Sequence, residues 1–566
     1  MKRLLAILLA MISVLGLFAG CKKKQVGNPD RYGPDGKMNI TIGIPESLLV
    51  EDYDTNAFTL WLEEKTGVNI IFHKFATQAQ DYKTQLSVMI LDEDARLPDI
   101  LINVEGMGQT AWKRYAKEGY FLDLTEYFED REGKGKAYWD SAKESNIPET
   151  YINDVLRQSR DDEGRIISFP RIEMTVIDTM DYMPMINKDW LEAVNMKMPT
   201  NPDELYKVLK AFKTQDPNKN GFQDEYPMIG GGSNGTVGSD IVNWIVNMFL
   251  YYDDYDWFNL SSDGKKIEVP FTSDAYRKAL IYLNMLKSEG LIEYNWTFQE
   301  VSSKVNSKTP VVGIVVDHPT LVFTPGKKTI DPYVSMPYWG YAVRREYRYG
   351  QDCFITEGAL DGMEENPKVV DKCWEILCTM ASKEGSYRQR YGEKGVNWTD
   401  ADPGAKSFLG WDADVKLLTS DIFSTMGNEC WKENAAILLG AAENETVQVD
   451  ANTNAWMIKK LNLIKAIYDN FGIMEAKTPK YTMPHIVRTE EQKEETQNER
   501  SNCQSAVNSW RVKFISGELD PNKDADWNAY KKELNDLGLQ TWINQTQKLY
   551  EAGYMQAVLD GSYTRY

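Results

Sequence analysis

The string DPNKNGFQDE, Asp216 to Glu225, sets oxygen-bearing side chains at a spacing that suits a hard cation. Counted from Asp216 as position 1, Asp216, Asn218, Asn220 and Asp224 stand at positions 1, 3, 5 and 9, Gly221 at the sharp-turn position 6, and the Phe222 carbonyl at 7. Calcium takes six to eight oxygens, and this order wraps them around one point. Position 12, which normally brings a bidentate Glu, is Pro227, so Glu225 at position 10 has to supply that carboxylate. A structural Ca²⁺ is expected rather than a sensor site; the competing reading is an Asn-Gly turn that ends the preceding helix. A related string, DPNKDAD at Asp520 to Asp526, has Ala525 where the glycine would stand, and Asp520 there reads as a helix cap before Trp527.

Other chemistry-bearing patterns are weaker. GGGSNG, Gly230 to Gly235, matches both G-x-G-x-x-G and G-x-S-x-G. A dinucleotide site needs a parallel strand after the helix, and YYDDYDWFNL follows instead. A Ser233 nucleophile would have to find its base in His318 or His485, the only histidines downstream. With 3 histidines in all, no H-E-x-x-H and no Cys/His cluster, a catalytic zinc is not expected. Several tryptophans fall among turn residues: Trp244, Trp257, Trp339, Trp398 and Trp411. An indole face buries the C–H face of a sugar ring while nearby polar groups bond its hydroxyls, so these and Glu46 are the candidate ligand contacts.

The elements that must hold these residues come in two styles. Residues 38–44, 68–75 and 98–104 read as strands, separated by helices near 55–66, stopped by Gly67, and near 82–91. That alternation predicts a mainly parallel sheet, and ligands bind beyond the carboxyl ends of such strands, near Glu46 and residues 104–107. From about residue 170 long amphipathic helices such as 203–213 and 274–289 dominate, with a turn at Asp263-Gly264, which predicts a second, α-rich lobe. Apolar runs at 310–316 and 338–343 suggest a return to the first lobe near residue 310, and 489–500 reads as a charged helix face in water.

Charge and the termini narrow the class. With 64 Lys+Arg against 84 Asp+Glu the net charge is −20, which excludes sequence-independent nucleic-acid binding. An acidic surface suits a neutral or cationic solute better than a strongly anionic one. Residues 1–20 give a charged start, a short apolar run and small residues before Cys21, the pattern of a secretion signal. Leu17-Phe18-Ala19-Gly20-Cys21 resembles the lipobox of bacterial lipoproteins, with Phe18 where that pattern usually has Leu, Val or Ile. That resemblance implies cleavage and acylation at Cys21, anchoring the chain to the extracellular face of the cell membrane. Residues 21–37 read as a flexible tether. Cys353, Cys373, Cys378, Cys430 and Cys503 show no metal-ligand spacing, and Cys373 and Cys378 in an apolar helix read as buried thiols.

A series of strings in order along the chain resembles the family 1 extracellular solute-binding proteins of bacterial ABC importers, in the long lipoprotein branch with a calcium loop. They are EEKTGVNI (63–70), LPDI (97–100), EGYFLDLTEYF (118–128), NKDWLEAVNMKMPTNPDEL (187–205), the calcium loop, YRKALIYLNMLKSEGLI (276–292), YGEKGVNW (391–398) and ELNDLGLQTWI (533–543). The resemblance implies an α/β, two-lobed periplasmic-binding-protein-like fold with a hinge and an interlobe cleft. It implies a monomer that closes on an oligosaccharide or other polar small solute and docks on the transmembrane subunits of an ABC permease, without catalysis. It carries Ca²⁺ onto Asp216, Asn218, Asn220, Phe222 by its carbonyl, Asp224 and Glu225, and carries no sugar-contact residue. The expected organisation is a signal at 1–20, the tether at 21–37, a first lobe at 38–165, a second lobe with the calcium loop at 166–309, a segment shared between lobes at 310–400, and a mainly helical part at 401–566. The alternatives are a secreted glycan hydrolase using Ser233 or a carboxylate pair, and a binding protein for peptides or another polar solute.

Overall fold

The computed structural model describes residues 31–563, apart from 93–94, 104–107, 175–179, 232–237, 338, 344–351, 361–367, 420–424, 433–436, 442–444 and 450–454. Cys21, the signal segment, Ser233 and the loop at 104–107 lie outside the described residues.

The first lobe is built on a four-stranded sheet in the order Phe354–Ile355, Ile100–Leu101, Met38–Pro45, Val68–Phe75. Met38–Pro45 pairs in parallel with Val68–Phe75 over its whole length, Met38 opposite Val68 and Pro45 opposite Phe75. Ile40, Ile42 and Ile44 are fully buried, as a strand covered on its inner face requires. The intervening helix Ala57–Thr66 starts where the Asn56 side chain accepts from Phe58 N and stops at Gly67, whose φ of 68° suits a left-handed cap.

The third strand is shorter than the apolar run predicts: Asn103, at φ 58°, leaves extended geometry after it, and Asp99 limits it at its start. Its carboxylate takes the Thr41 N–H at 2.7 Å, so a side chain occupies the donor a longer ladder would use. The same fully buried carboxylate accepts from Arg31 (2.9 and 3.0 Å) and Arg96 (2.7 Å), which ties the start of the folded chain to the sheet.

The second lobe carries a sheet in the order Tyr333–Ser335, Pro184–Asn187, Val312–Val316, Tyr226–Gly230. Residues 312–316 thus form a central strand of this lobe, and the return expected near residue 310 comes only after Ser335. The run at 338–343 is no strand where it is described; Phe354–Ile355 is the segment that joins the first sheet. Helix Pro202–Thr214 lies against the second sheet with Leu205, Val208, Leu209 and Phe212 buried at helical spacing. The Phe212 ring fits because position 313 is glycine: a Cβ there would meet its Cδ2 at 2.4 Å. Each such side chain contributes about 1.5–3 kcal/mol by burial.

Helices Asp274–Ser288, Glu490–Ser516, Asp524–Asp536 and Leu539–Gly553 close the same core. The charged stretch at 489–500 is the first half of the 27-residue helix Glu490–Ser516, whose second half buries Cys503, Val507 and Phe514. The turn at Asp263-Gly264 joins the short strands Asn259–Leu260 and Ile267–Glu268, with Gly264 at φ 73°. Asp520 is not the cap of the next helix. Lys523 takes the N-cap position, and Asp526 inside the first turn reaches back to accept from Asp520 N at 3.0 Å. Tyr387, Tyr391, Trp398, Val415, Ile437 and Leu439 form a small core of their own. All five described cysteines are free and buried, and burial pushes the Cys353 thiol up to about 12.

Candidate functional site

Topology assembles one site edge on each lobe. In the second sheet Tyr333–Ser335 is antiparallel to Pro184–Asn187, which is antiparallel to Val312–Val316, which is parallel to Tyr226–Gly230. Three strands therefore run the same way, and Gly230, Val316 and Ser335 end at one edge. The residues just beyond them are Asp240, Asn243 and Trp244, then Asp317 and His318, then Trp339. Asp181 and Tyr182, which precede the antiparallel strand, reach the same edge: Tyr182 bridges to Ser239 and Met183 N donates to Gly238 O at 2.8 Å.

Trp244 and Trp339 meet there with ring centroids 6.3 Å apart. Trp244 is buried and Trp339 half-buried, so Trp339 can offer a face to a ring while Trp244 supports it. Both indole N–H groups are shielded from water without a partner, as are both amide atoms of Asn243, which is fully buried. Unpartnered buried donors and acceptors are costly, roughly 1–3 kcal/mol each, and a hydroxyl-rich ligand is one way to satisfy them.

The matching edge of the first lobe is formed where Met38–Pro45, Val68–Phe75 and Ile100–Leu101 end. Glu46 is exposed there, its N–H donating to Phe75 O at 2.8 Å and its carbonyl accepting from Thr77 Oγ1 at 2.6 Å. Asn103, at φ 58°, stands beyond the third strand. Sequence reading pointed to Glu46 and the two tryptophans and missed Asn103, Asp181, Asn243, Asp317 and His318. The signal lay in polar residues directly after apolar runs, as in VGIVV-DH.

The remaining tryptophans are elsewhere. Trp398 is buried in the small core and donates to Gly392 O at 2.8 Å. Trp411 is 37% exposed and meets Tyr468 edge-on at 6.2 Å. Trp257 packs with Phe271 and Trp542 in the second lobe.

The Asp216–Glu225 loop lies away from both edges, between the end of helix Pro202–Thr214 and the start of strand Tyr226–Gly230. Asp216, Lys219 and Gly221 take φ of 45°, 56° and 80°, a run of left-handed residues that curls the chain around its own side chains. Asp216 accepts from the N–H groups of Asn220 (3.1 Å) and Gly221 (3.0 Å), and Asp224 accepts from the amides of Asn218 (3.2 Å) and Asn220 (3.0 Å). Asn218 also donates to Pro310 O at 3.2 Å, next to the central strand.

Glu225 is the discordant member. Both its carboxylate oxygens are buried without a partner, and burial, then the nearby charges of Asp224 and Asp216, push its carboxyl up. None of these three carboxylates has an ion pair among the described residues. A hard dication fits that donor set: it would supply the charge the loop lacks. Among the described residues no three His, Cys, Asp or Glu side chains converge as a ready-made metal cluster. The loop's other donors are amide and backbone oxygens, which calcium accepts.

Two lobes of this construction, each ending its strands in polar loops, define the extracellular solute-binding fold. No family model matches the chain. Its relatives are nonetheless specific. It is 24% identical over 564 residues to the fructooligosaccharide ABC transporter substrate-binding protein FusA of Streptococcus pneumoniae, covering 95% of this chain and 96% of that protein. It is 26% identical over 311 residues to lipoprotein LipO of Bacillus subtilis, about half of each chain. Among solved structures, an extracellular solute-binding protein from Bifidobacterium longum subsp. infantis superposes with a TM-score of 0.67 at 21% identity, covering 92% of this chain and 99% of that one. The chain is a relative of ABC transporter substrate-binding proteins, with their two-lobed α/β fold and interlobe cleft. Those relatives are transport proteins by name, and no helix among the described residues is long and apolar enough to cross a membrane.

Proposed function

We propose that this protein captures an oligosaccharide between its lobes and delivers it unaltered to the transmembrane subunits of an ABC permease, held to the outer face of the membrane by acylated Cys21. The observation that carries the reading is the full-length relation to a fructooligosaccharide-binding protein, supported by a paired-indole edge with unpartnered buried donors on the second lobe. Trp339, backed by Trp244, stacks on a sugar ring; Asn243, Asp181 and Asp317 bond its hydroxyls; Glu46 and Asn103 close from the first lobe. Closure is selection of the state the ligand binds more tightly.

Asp216, Asn218, Asn220, Asp224, Glu225 and the Phe222 carbonyl hold one Ca²⁺. Bound there, the ion neutralises the three carboxylates and braces the helix end against the strand start. The chain acts as a monomer.

Calorimetric titration of the mature protein with fructooligosaccharides, other neutral oligosaccharides and peptides tests the reading. Sugar binding that Trp339→Ala weakens by tenfold or more supports it. Turnover of the glycan, or binding of peptides alone, overturns it.

A further inference from the structure

The two indoles at the second-lobe edge come from segments far apart in sequence, so their geometry depends on how those segments are joined. Trp244 belongs to the short helix Ile241–Val246, whose Asp240 cap accepts from Asn243 N at 2.8 Å. Trp339 lies beyond strand Tyr333–Ser335, in the loop between Met336 and Tyr341. Their ring planes are 37° apart, with Trp244 buried and Trp339 half-buried.

Hydrogen bonds pin both ends of the Trp339 loop. At its start Met336 N donates to Pro184 O at 3.0 Å, and Met336 O accepts from the Asn470 amide at 3.2 Å. At its end Tyr341 N donates to Asn247 O at 2.9 Å, and Tyr341 O accepts from the Tyr182 hydroxyl. Asn247 directly follows the Trp244 helix, so its carbonyl ties the two tryptophan segments together. Asn247 is itself fixed. It is fully buried, its amide donates to Asn243 O (3.0 Å) and Tyr252 O (2.8 Å), and its Oδ1 accepts from Tyr252 N at 3.0 Å.

The join passes through Gly340. Its φ is 93°, and a Cβ there would lie 2.1 Å from Asn247 O and 2.7 Å from Met248 Cα. Both are backbone atoms, which cannot swing aside as the end of a side chain can. Any side chain at 340 therefore pushes the loop off the helix end, and the neighbouring Trp339 moves with it.

We propose that Gly340 is a positioning residue for ligand capture: it lets the loop backbone lie on Asn247 and so holds the Trp339 face beside Trp244 before any ring arrives. This rests on the reading of that edge as the sugar site and deepens it. A face already fixed loses little rotamer freedom when a ring stacks on it, so removing the lock weakens binding although no ligand contact is deleted.

Circular dichroism and calorimetry of the full mature chain test this. Two indoles at this distance and angle couple as an exciton pair, and the far-ultraviolet signal that Trp339→Ala removes reports the pair. The Trp257–Trp542 pair, 6.1 Å apart, stays as a constant background. The couplet should be present in the free protein and unchanged at saturating fructooligosaccharide. Gly340→Ala should abolish it and weaken fructooligosaccharide binding by roughly tenfold, close to the loss in Trp339→Ala. Gly326→Ala controls for backbone strain alone: Gly326 has φ 77° and no atom within 4 Å of an added Cβ, so the variant should melt lower with couplet and affinity kept.

A couplet that forms only when ligand is added overturns the proposal, and it is read on the unaltered protein even if Gly340→Ala does not fold. Weakened binding in Trp339→Ala, with couplet and affinity intact in Gly340→Ala, overturns the proposal alone. Absent fructooligosaccharide binding, or binding unchanged in Trp339→Ala, overturns the sugar-site reading and the proposal with it.

Discussion

The chain contains two DPNK strings, and they fold in opposite senses. At Asp216 the string continues Asn-Gly, the backbone turns left-handed at Asp216, Lys219 and Gly221, and Glu225 is left with two buried, unpartnered oxygens. At Asp520 it continues Asp-Ala, and the next residues enter helix Asp524–Asp536 at once. There Asp520 accepts from Asn522 N at 2.9 Å and receives Asp526 on its own N–H, so the acids are satisfied locally. The sixth position is Gly221 at φ 80° in the first string and Ala525, already inside a helix, in the second. Composition alone would treat the two alike.

The largest test of the contrast is removal of calcium. Extracellular calcium sites have dissociation constants of ~10⁻⁴–10⁻³ M, and at 100 times that concentration binding adds about 2.7 kcal/mol. EDTA should lower the melting temperature by on the order of 5 °C. Asp216→Ala should abolish the EDTA effect, whereas Asp520→Ala should leave it intact; an EDTA-insensitive melt with no bound metal would remove the site. The pH dependence sharpens this. Glu225 is raised in the folded state, so in EDTA its contribution favours the fold at low pH and is lost as pH rises from the ordinary Glu value through the raised one. Calcium, which favours the ionised form, should reverse that slope, and Glu225→Gln should flatten it in both conditions.

Next in size is Gly221→Ala. A residue with a Cβ at φ 80° costs roughly 1–2 kcal/mol. No atom lies within 4 Å of the added carbon, so the cost is conformational rather than a clash. Calorimetry should show weakened calcium binding together with a lower melting temperature, and an unchanged melt would mean the glycine does not set the loop.

Much of this was legible in the sequence because local rules decide it: Gly67 stops its helix, Gly264 makes its turn, and the DPNKNG spacing curls its own chain. The return between lobes was misplaced because the apolar run at 312–316 is equally buried in either sheet; only pairing with Tyr226–Gly230 and Pro184–Asn187 assigns it. The third strand was overextended at its start because the Asp99 side chain takes a ladder donor from Thr41, and at its end because Asn103 turns left-handed. The tryptophans divided for the same reason. Trp244 and Trp339 are brought together by three strands ending at one edge, and Trp398 is drawn into a small core by Tyr387 and Tyr391. Nothing within a few residues of either distinguishes them.

The smallest effect comes from writing the missing glycine into the second string. Ala525 is exposed in the first turn of helix Asp524–Asp536. Ala525→Gly removes a good helix former at a cost of roughly 0.5–1 kcal/mol, reduced because the first turn frays. If glycine alone made the calcium loop, the variant would gain EDTA sensitivity beyond that of the parent. It should not, because Asp526 is already committed to Asp520 N and the chain from Lys523 onward is helical, with Trp527 buried beneath it. The expected result is a slightly lower melting temperature with the calcium stoichiometry unchanged. A second bound calcium would show instead that the packing of Trp527 does not hold this segment in its helical form.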